Sequence, residues 1–547
     1  MIKEVKYLTI CAICLWAGYN TSLAGERTGR EMLSIAQQKL ESSVGKNRAK
    51  AISKLEKLKD EPAYCIYGNP ELGFVVVSRD DSRKPVLGYS STNFNESSIP
   101  CGLKWWLNVT ASVETPIYST NYSNVQPHDA FITTKWGQDD PYNFMTPVVQ
   151  GNHAPSGCVA TAMAQILKHY EYPAQGKGSG YYMLDDNDAK IPEKITTVYE
   201  WDKLQNEYPS SGMPDEDKVP IASLLYDAGL AAGMNYKAKS SGAQTNMAAH
   251  GLAYNFSYDS LAIRYCVRSY YNDSEWMEMV YNELSNGRPV FYAGIDENQG
   301  GHAFVLDGVD ADGLVHVNWG WNGEGNGYFD IAELNPKTGN VQYRFNLNQE
   351  MLFGFRCDPM PTTDEEYQSL WCTSEDYSIT LTGKLMTLNA KKVYNYHFLN
   401  FNGTLGIAIE NVDGHSENNR YVAMTIGNKE SAPNWGLSTL TGSYILTNIP
   451  QGNYHVYLAS KALQDSTPQP VRSLGGIIGY TMQVDADGKA TLSSKAEPYI
   501  TAINAVNKSS VGFITRYYDL QGRELNGPSK GLVIRKQGNT VRKVIIK

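Results

Sequence analysis

The sequence predicts an α+β protein built from several domains, and three observations carry that prediction. At 547 residues the chain is longer than one hydrophobic core organises. Between about 131 and 357, helical patterns come first and closely spaced strands follow, instead of alternating as in a parallel βαβ sheet. After 358 the chain reads as strand almost throughout.

The first 24 residues are expected to lie outside the fold. "MIKEVKYLTICAICLWAGYNTSLAG" has two early lysines, an apolar run from Tyr7 to Ala17, and Ser22-Leu23-Ala24 before Gly25. That is the layout of a secretory signal peptide cleaved after Ala24. The run falls short of the roughly 20 residues that a membrane span needs. No other stretch is long and apolar enough to span a bilayer, so the expected location is secreted or at the cell surface.

Residues 26 to about 60 carry a helical period through Met32, Leu33, Ile35, Leu40, Ile52, Leu55 and Leu58. "YCIY" and "GFVVVS" then flank a Gly-Asn-Pro turn and predict a hairpin, and "LKWWLNVTASV" predicts a short amphipathic helix. Residues 25–120 are therefore expected to form a small α+β unit. The polar, Pro- and Asn-punctuated stretch 112–130 reads as an exposed linker open to proteolysis. The richest block is 121–358. It has helices predicted at Cys158–Tyr170, Val219–Gly233 and Ser274–Asn286, and strands at 289–294, 302–309, 314–319 and 327–331. A β-sandwich over 359–490 and a β-rich tail over 491–547 complete the chain.

Composition narrows the function. Hydrophobic residues make up 42% and charged residues 19%, as in a globular protein, and a net charge of -9 argues against a general nucleic-acid binder. Six of the 8 cysteines lie beyond residue 24, too few for a disulfide scaffold. The absence of C-x-x-C removes support for a zinc ribbon or redox pair. The spacing of Cys357 and Cys372 permits a bridge without establishing it. No metal or cofactor is implied.

The chemistry centres on "SGCVATAMAQILKHYEYP". Val159, Met163, Ile166, Leu167 and Tyr170 fall on one helical face. Ser156 can cap, and Pro173 stops the chain past the helix. Cys158 lands in the first turn, where free N–H groups and the positive dipole end favour a thiolate and can hold a developing oxyanion. A Cys there is more often an ordinary core residue, so a partner is needed.

"GGHAFVLDGVDADGLVHVNWGWNGEGNGYFDI" offers one. With the turn centred near Ala311 and Asp312, antiparallel pairing puts His302 opposite about Trp321, with Trp319 diagonal on the same face. Asn318 then points to the other face unless a bulge shifts the register. His316 reads as structural. A His beside an indole or amide fits a general base held in orientation, and a Cys and a His distant in sequence can pair in space. Gln138 in "KWGQDDPYN" could add an oxyanion-hole N–H, although a loop Gln is usually only exposed.

Together "WGQDDPYN", "SGCVATAMAQILKHYEYP" and "GGHAFVLDGVDADGLVHVNWGW" closely resemble the streptopain family of papain-like cysteine peptidases, over roughly 25–357. The resemblance implies a papain-like domain over 121–358, with "GFVVVSRDDSRKPVLGYS" belonging to an inhibitory propeptide over 25–120. It makes Cys158 the nucleophile, His302 the general base and acid, and Gln138 the oxyanion-hole side chain. Trp319, with Asn318 beside it, would occupy the place of the imidazole-orienting Asn.

By the same resemblance "KAKSSGAQTN", with Ser240, Ser241 and Gly242, borders the substrate cleft, together with Gly301 before the histidine. The expected partners are protein or peptide substrates and the chain's own propeptide. A hydrophobic residue is preferred one position upstream of the cleaved residue. One departure is Ala293 in "FYAG", where family members can carry Gln in "YYQG"; Gln299 is the nearby substitute.

The ending "YYDLQGRELNGPSKGLVIRKQGNTVRKVIIK" is similar to C-terminal modules of secreted Bacteroidetes proteins, which implies sorting or surface attachment. Two other readings stand beside the peptidase. One is an acyl transferase on the same scaffold. The other is an adhesin whose papain-like domain is inactive, against which an intact Cys158 and His302 count.

Overall fold

The first helix, α1 (Gly29–Val44), lays Met32, Ala36 and Leu40 against a four-stranded antiparallel sheet. That sheet is β1 (Glu56–Asp60), β2 (Tyr64–Asn69), β3 (Gly73–Ser78) and β4 (Val86–Ser90). The computed structural model describes residues 25–44, 49–112, 125–296, 300–331, 349–356, 371–412, 420–463 and 468–498, and strands within 516–546. The hairpin predicted on either side of Gly-Asn-Pro is β2 and β3, in register from Tyr64↔Ser78 to Asn69↔Gly73. The helical period read through Leu58 ends early, because Leu58 lies on β1. Most of the predicted linker and the signal segment 1–24 lie outside the described residues.

Among the described residues five α-helices follow: α2 (Cys101–Ser112), α3 (Cys158–Tyr170), α4 (Asp215–Ala232), α5 (Thr245–Tyr254) and, after strand β5 (Arg264–Val267), α6 (Asp273–Ser285). Asn272 caps α6 in a capping box with Glu275, and Gly233 closes α4 at φ 64°. Strands β6 (Val290–Asp296), β7 (Gly300–Val309), β8 (Val315–Asn318), β9 (Gly327–Phe329) and β10 (Gln349–Phe353) complete one ten-stranded sheet. Its order is β1-β2-β3-β4-β9-β8-β7-β6-β10-β5. The N-terminal strands thus continue the later sheet through β4 and β9, where the Tyr89 and Tyr328 rings stack at 5.3 Å.

The sheet has a helical layer on each face. On one face α3, α4 and α5 pack with Phe291, Ala293, Ala303 and Val305. On the other, α2 and α6 pack with Val290, Tyr292, Phe304 and Leu306. Trp105 and Trp106 of α2 are both fully buried there. At on the order of 200 Å² each, they contribute about 5 kcal/mol apiece of gross transfer free energy.

The strand-rich block after 371 forms two facing antiparallel sheets, with Trp371, Phe401, Ile407 and Val456 between them. It is fastened to the preceding region by Arg472, whose guanidinium bonds the Tyr270 carbonyl and pairs with the buried Glu275 carboxylate at 2.9 Å. Cys372 is a buried free thiol, and Cys357 lies outside the described residues. The chain divides into two units, Met1–Pro498 and Tyr499–Lys547; the second holds a small four-stranded sheet.

Candidate active site

Cys158 opens α3, whose residues pack in the core on one face of the sheet. The predicted one-sided stripe is too narrow, since every residue from Val159 to Leu167 is buried, including the small residues Ala160, Ala162 and Ala164. Gly157, just before the Cys, has φ 90° and ψ 143°, a conformation that glycine takes without strain. A Cβ there would also sit 2.9 Å from Met234 and 3.0 Å from the Ser241 carbonyl. Ser156 does not cap the helix; its backbone N–H and its hydroxyl both donate to the Gln138 carbonyl, at 2.9 and 3.3 Å. That contact brings Gln138, half-buried, to the start of α3.

The backbone N–H groups of Ala303, Val159 and Cys158 lie near the Cys158 sulfur and favour its thiolate. Burial nevertheless dominates and pushes the thiol above its ordinary range. The helix N-terminus alone predicts the opposite sign. The reversal follows from desolvation, which penalises a thiolate more than three N–H donors stabilise it.

His302 lies in β7 opposite Gly294, half-buried, directly before Ala303, which packs in the same cluster as Cys158. By strand alternation it shares the face of Phe304, the face covered by α2. The predicted register is met in this part of the hairpin: Val305 pairs with Asn318, and Leu306 with Val317. Two one-residue offsets cancel to give it. The turn is centred later than expected, pairing Val309 with Val315, and a bulge at Asp307 takes up the difference.

Trp319 therefore belongs to the His302 face, its ring 4.8 Å from that of Phe304 and its indole N–H on the Gly325 carbonyl at 2.9 Å. Asn318 is turned to the opposite face, almost wholly buried, and donates to the Thr134 carbonyl at 2.7 Å. The structure does not bring Asn318 to the imidazole. His316 is structural as read, paired with the buried Asp307 carboxylate.

The Ser/Gly loop meets the site from α3's other side. Ser241 is buried with its carbonyl against Gly157, and Gly242 exchanges two backbone hydrogen bonds with Asn235 at 2.9 and 3.2 Å. Ser240 and Gly242 are exposed, as is Gly301 on β7. Ala293 is buried on β6, paired with Ala303, and Gln299 lies outside the described residues. Among the described residues no group of three or more His, Cys, Asp or Glu is placed to hold a metal ion.

The resemblance implied an inhibitory propeptide over 25–120, but not which of its elements lies over the site. The first turn of α2 lies on the strands that carry His302. A Cβ on Gly102 would stand 2.6 Å from the Trp319 ring, and one on Gly294 would stand 2.3 Å from the Trp105 ring. Cys101, the first residue of α2, is close enough to Cys158 for a charge on that sulfur to raise its own pKa, pushed by burial and this neighbour to about 11. The amphipathic pattern of α2 was legible in the sequence; the surface it covers was not.

Comparison with known proteins bears on this arrangement. Residues 136–329 match the model of the Peptidase C10 family, and 27–112 match that of the Spi protease inhibitor. Streptopain of Streptococcus pyogenes is 31% identical over 328 residues, which cover 53% of this chain and 80% of that protein. The thiol protease/hemagglutinin PrtT of Porphyromonas gingivalis is 30% identical over 390 residues, 64% of this chain; the chain spans only 44% of that protein's length. A solved fragment of Prevotella intermedia prointerpain A has 33% identity, covers 56% of this chain and 99% of the fragment, and superposes with a TM-score of 0.49. With streptopain matched over most of its length and an inhibitor-type segment preceding Cys158 and His302, the chain belongs to the Peptidase C10 family, the streptopain family of cysteine peptidases.

Proposed function

We propose that this protein is a secreted cysteine endopeptidase made as a zymogen and held latent by its own N-terminal segment. One observation carries the reading. Cys158 packs with Ala303, the residue next to His302, while α2 of the inhibitor-like segment covers the same strands.

In this reading His302 takes the Cys158 proton as the sulfur attacks a substrate carbonyl, and later gives it to the leaving amine. The N–H groups at the start of α3, with the Gln138 side chain, receive the developing oxyanion. Water then hydrolyses the thioester and restores the thiol. Trp319 shields the imidazole from water, and the loop at Ser240, Ser241 and Gly242 borders the cleft. Substrates are protein chains with a hydrophobic residue one position upstream of the cleaved residue. Segment 1–24 directs secretion, and the unit Tyr499–Lys547 serves sorting or surface attachment.

The test is incubation of wild type and Cys158→Ala with casein under reducing conditions, following the intact mass of each protein over time. Wild type is expected to digest casein and lose its N-terminal segment, while Cys158→Ala does neither. A wild type that digests nothing, or a Cys158→Ala variant that processes at the wild-type rate, overturns the proposal.

A further inference from the structure

Glu350 is a half-buried acid that the proposed chemistry does not use. It lies on β10 paired with Ala293 of β6, which in turn pairs with Ala303 of β7. Directly opposed residues on neighbouring strands point to the same face of a sheet, so Ala303, Ala293 and Glu350 form one row across it. Ala293 and Ala303 belong to the apolar cluster against which Cys158 packs, so the row starts beside the thiol. With strands about 4.8 Å apart, the Glu350 backbone stands about 10 Å from that of Ala303. The two alanines keep the row low between the thiol and the carboxyl. On the same face α5, which begins three residues beyond Gly242 of the Ser/Gly loop, packs on β10.

The surroundings of the carboxyl lack a cation. The Tyr265 hydroxyl donates to Glu350 Oε1 at 2.7 Å. Burial pushes the carboxyl above its ordinary range, while the Thr245 and Tyr265 hydroxyls favour its charged form. Glu275 and Glu283 are each paired with an arginine, at 2.9 and 2.6 Å, whereas Glu350 has no ion pair among the described residues. A carboxylate in that state is stabilised by a positive charge brought beside it.

We propose that Glu350 is a specificity-determining residue that receives a Lys or Arg side chain of the substrate, one position upstream of the cleaved residue, with the aliphatic stem over Ala303 and Ala293 and the charged head at the carboxylate. The proposal rests on the reading of Cys158 as the nucleophile of a peptidase, and it widens the hydrophobic preference given to that position. An apolar side chain covers the two methyl groups. A basic one covers them and continues to Glu350.

Wild type, Glu350→Gln and Ala293→Gln are each left under reducing conditions until the N-terminal segment is lost. Then kcat/KM is measured at neutral pH on coumarylamide peptides that differ only one position upstream of the cleaved residue. That position holds leucine, arginine or citrulline, the neutral isostere of arginine. Wild type is expected to cleave the leucine peptide and to prefer arginine to citrulline by about tenfold, the margin of a charge-assisted over a neutral hydrogen bond. The preference is a ratio within one protein, so any loss of folding or of rate common to both peptides cancels. Glu350→Gln should bring that ratio to within twofold of one. Ala293→Gln should do the same with the carboxyl intact, because its side chain would fill the row between thiol and acid. A wild-type ratio within twofold of one overturns the proposal, and so does a wild-type ratio retained in either variant. Cleavage of the leucine peptide without a preference for arginine would defeat this proposal alone. A wild type that cleaves neither casein nor any of these peptides would defeat the peptidase reading beneath it.

Discussion

Gly294→Ala should loosen the latent form. In the full chain the nearest atoms to a Cβ at position 294 are Cζ2, Cη2 and Cε2 of Trp105, at 2.3, 2.5 and 2.9 Å. Trp105 is fully buried against Phe304, with ring centroids 6.2 Å apart, so the indole cannot turn out to solvent without giving up that packing. Overpacking of this kind costs about 1–3 kcal/mol. Because the obstacle belongs to the inhibitor-like segment, the cost falls on its docking, which corresponds to a 5- to 150-fold rise in the undocked population.

The assay is trypsin cleavage of that segment in a Cys158→Ala background, where self-processing is absent and the rate follows the open population. Trp105→Ala alone should also speed cleavage, by removing a buried ring. The double variant should be less than additive, because the methyl then has room. Cleavage of Gly294→Ala within twofold of its parent, or strict additivity in the double variant, would show that the ring does not rest on Gly294.

Three further outcomes follow from the same geometry. Burial holds the Cys158 thiol up in the full chain, so less of it is thiolate at a given pH. Removing the N-terminal segment should therefore move the midpoint of its iodoacetamide pH profile downward, and an unmoved midpoint would place the burial elsewhere. Glu275→Gln leaves the buried Arg472 without its carboxylate and should destabilise the seating of the β-sandwich by about 3–5 kcal/mol, read as faster limited proteolysis around it. Replacing both partners with apolar residues should recover most of that loss. Gln138→Ala should lower kcat by about 10²–10³ with a stable fold, whereas Asn318→Ala should lower thermal stability, because its amide serves the Thr134 carbonyl.

Much of this was legible wherever pattern and turn chemistry act locally. The hairpin of β2 and β3, the strands β6 to β9, and α3, α4 and α6 all lie within a few residues of their expected positions. The period-2 argument also put Trp319 on the His302 face and Asn318 on the other, because a one-residue slip would have inverted both. What stayed hidden depends on distant partners. β10 inserts between β6 and β5 from far along the chain, and α5 follows a Ser/Gly loop with little helical signal. The sign of the Cys158 shift came out reversed because a helix start predicts stabilised charge, whereas the burial that outweighs it comes from tertiary packing around the thiol. Ser156 failed as a cap for the same kind of reason, its hydroxyl being taken by Gln138.

The central claim is that Cys158 is a nucleophile served by His302 and covered by α2. Labelling with a peptidyl acyloxymethyl ketone, under reducing conditions and mapped by peptide mass, tests it most directly. The account predicts one label, on Cys158, in the processed enzyme; at least about tenfold slower labelling in the full-length chain; and loss of most labelling in His302→Ala. Equal labelling of the processed and full-length forms, or a label on any other cysteine, would contradict it.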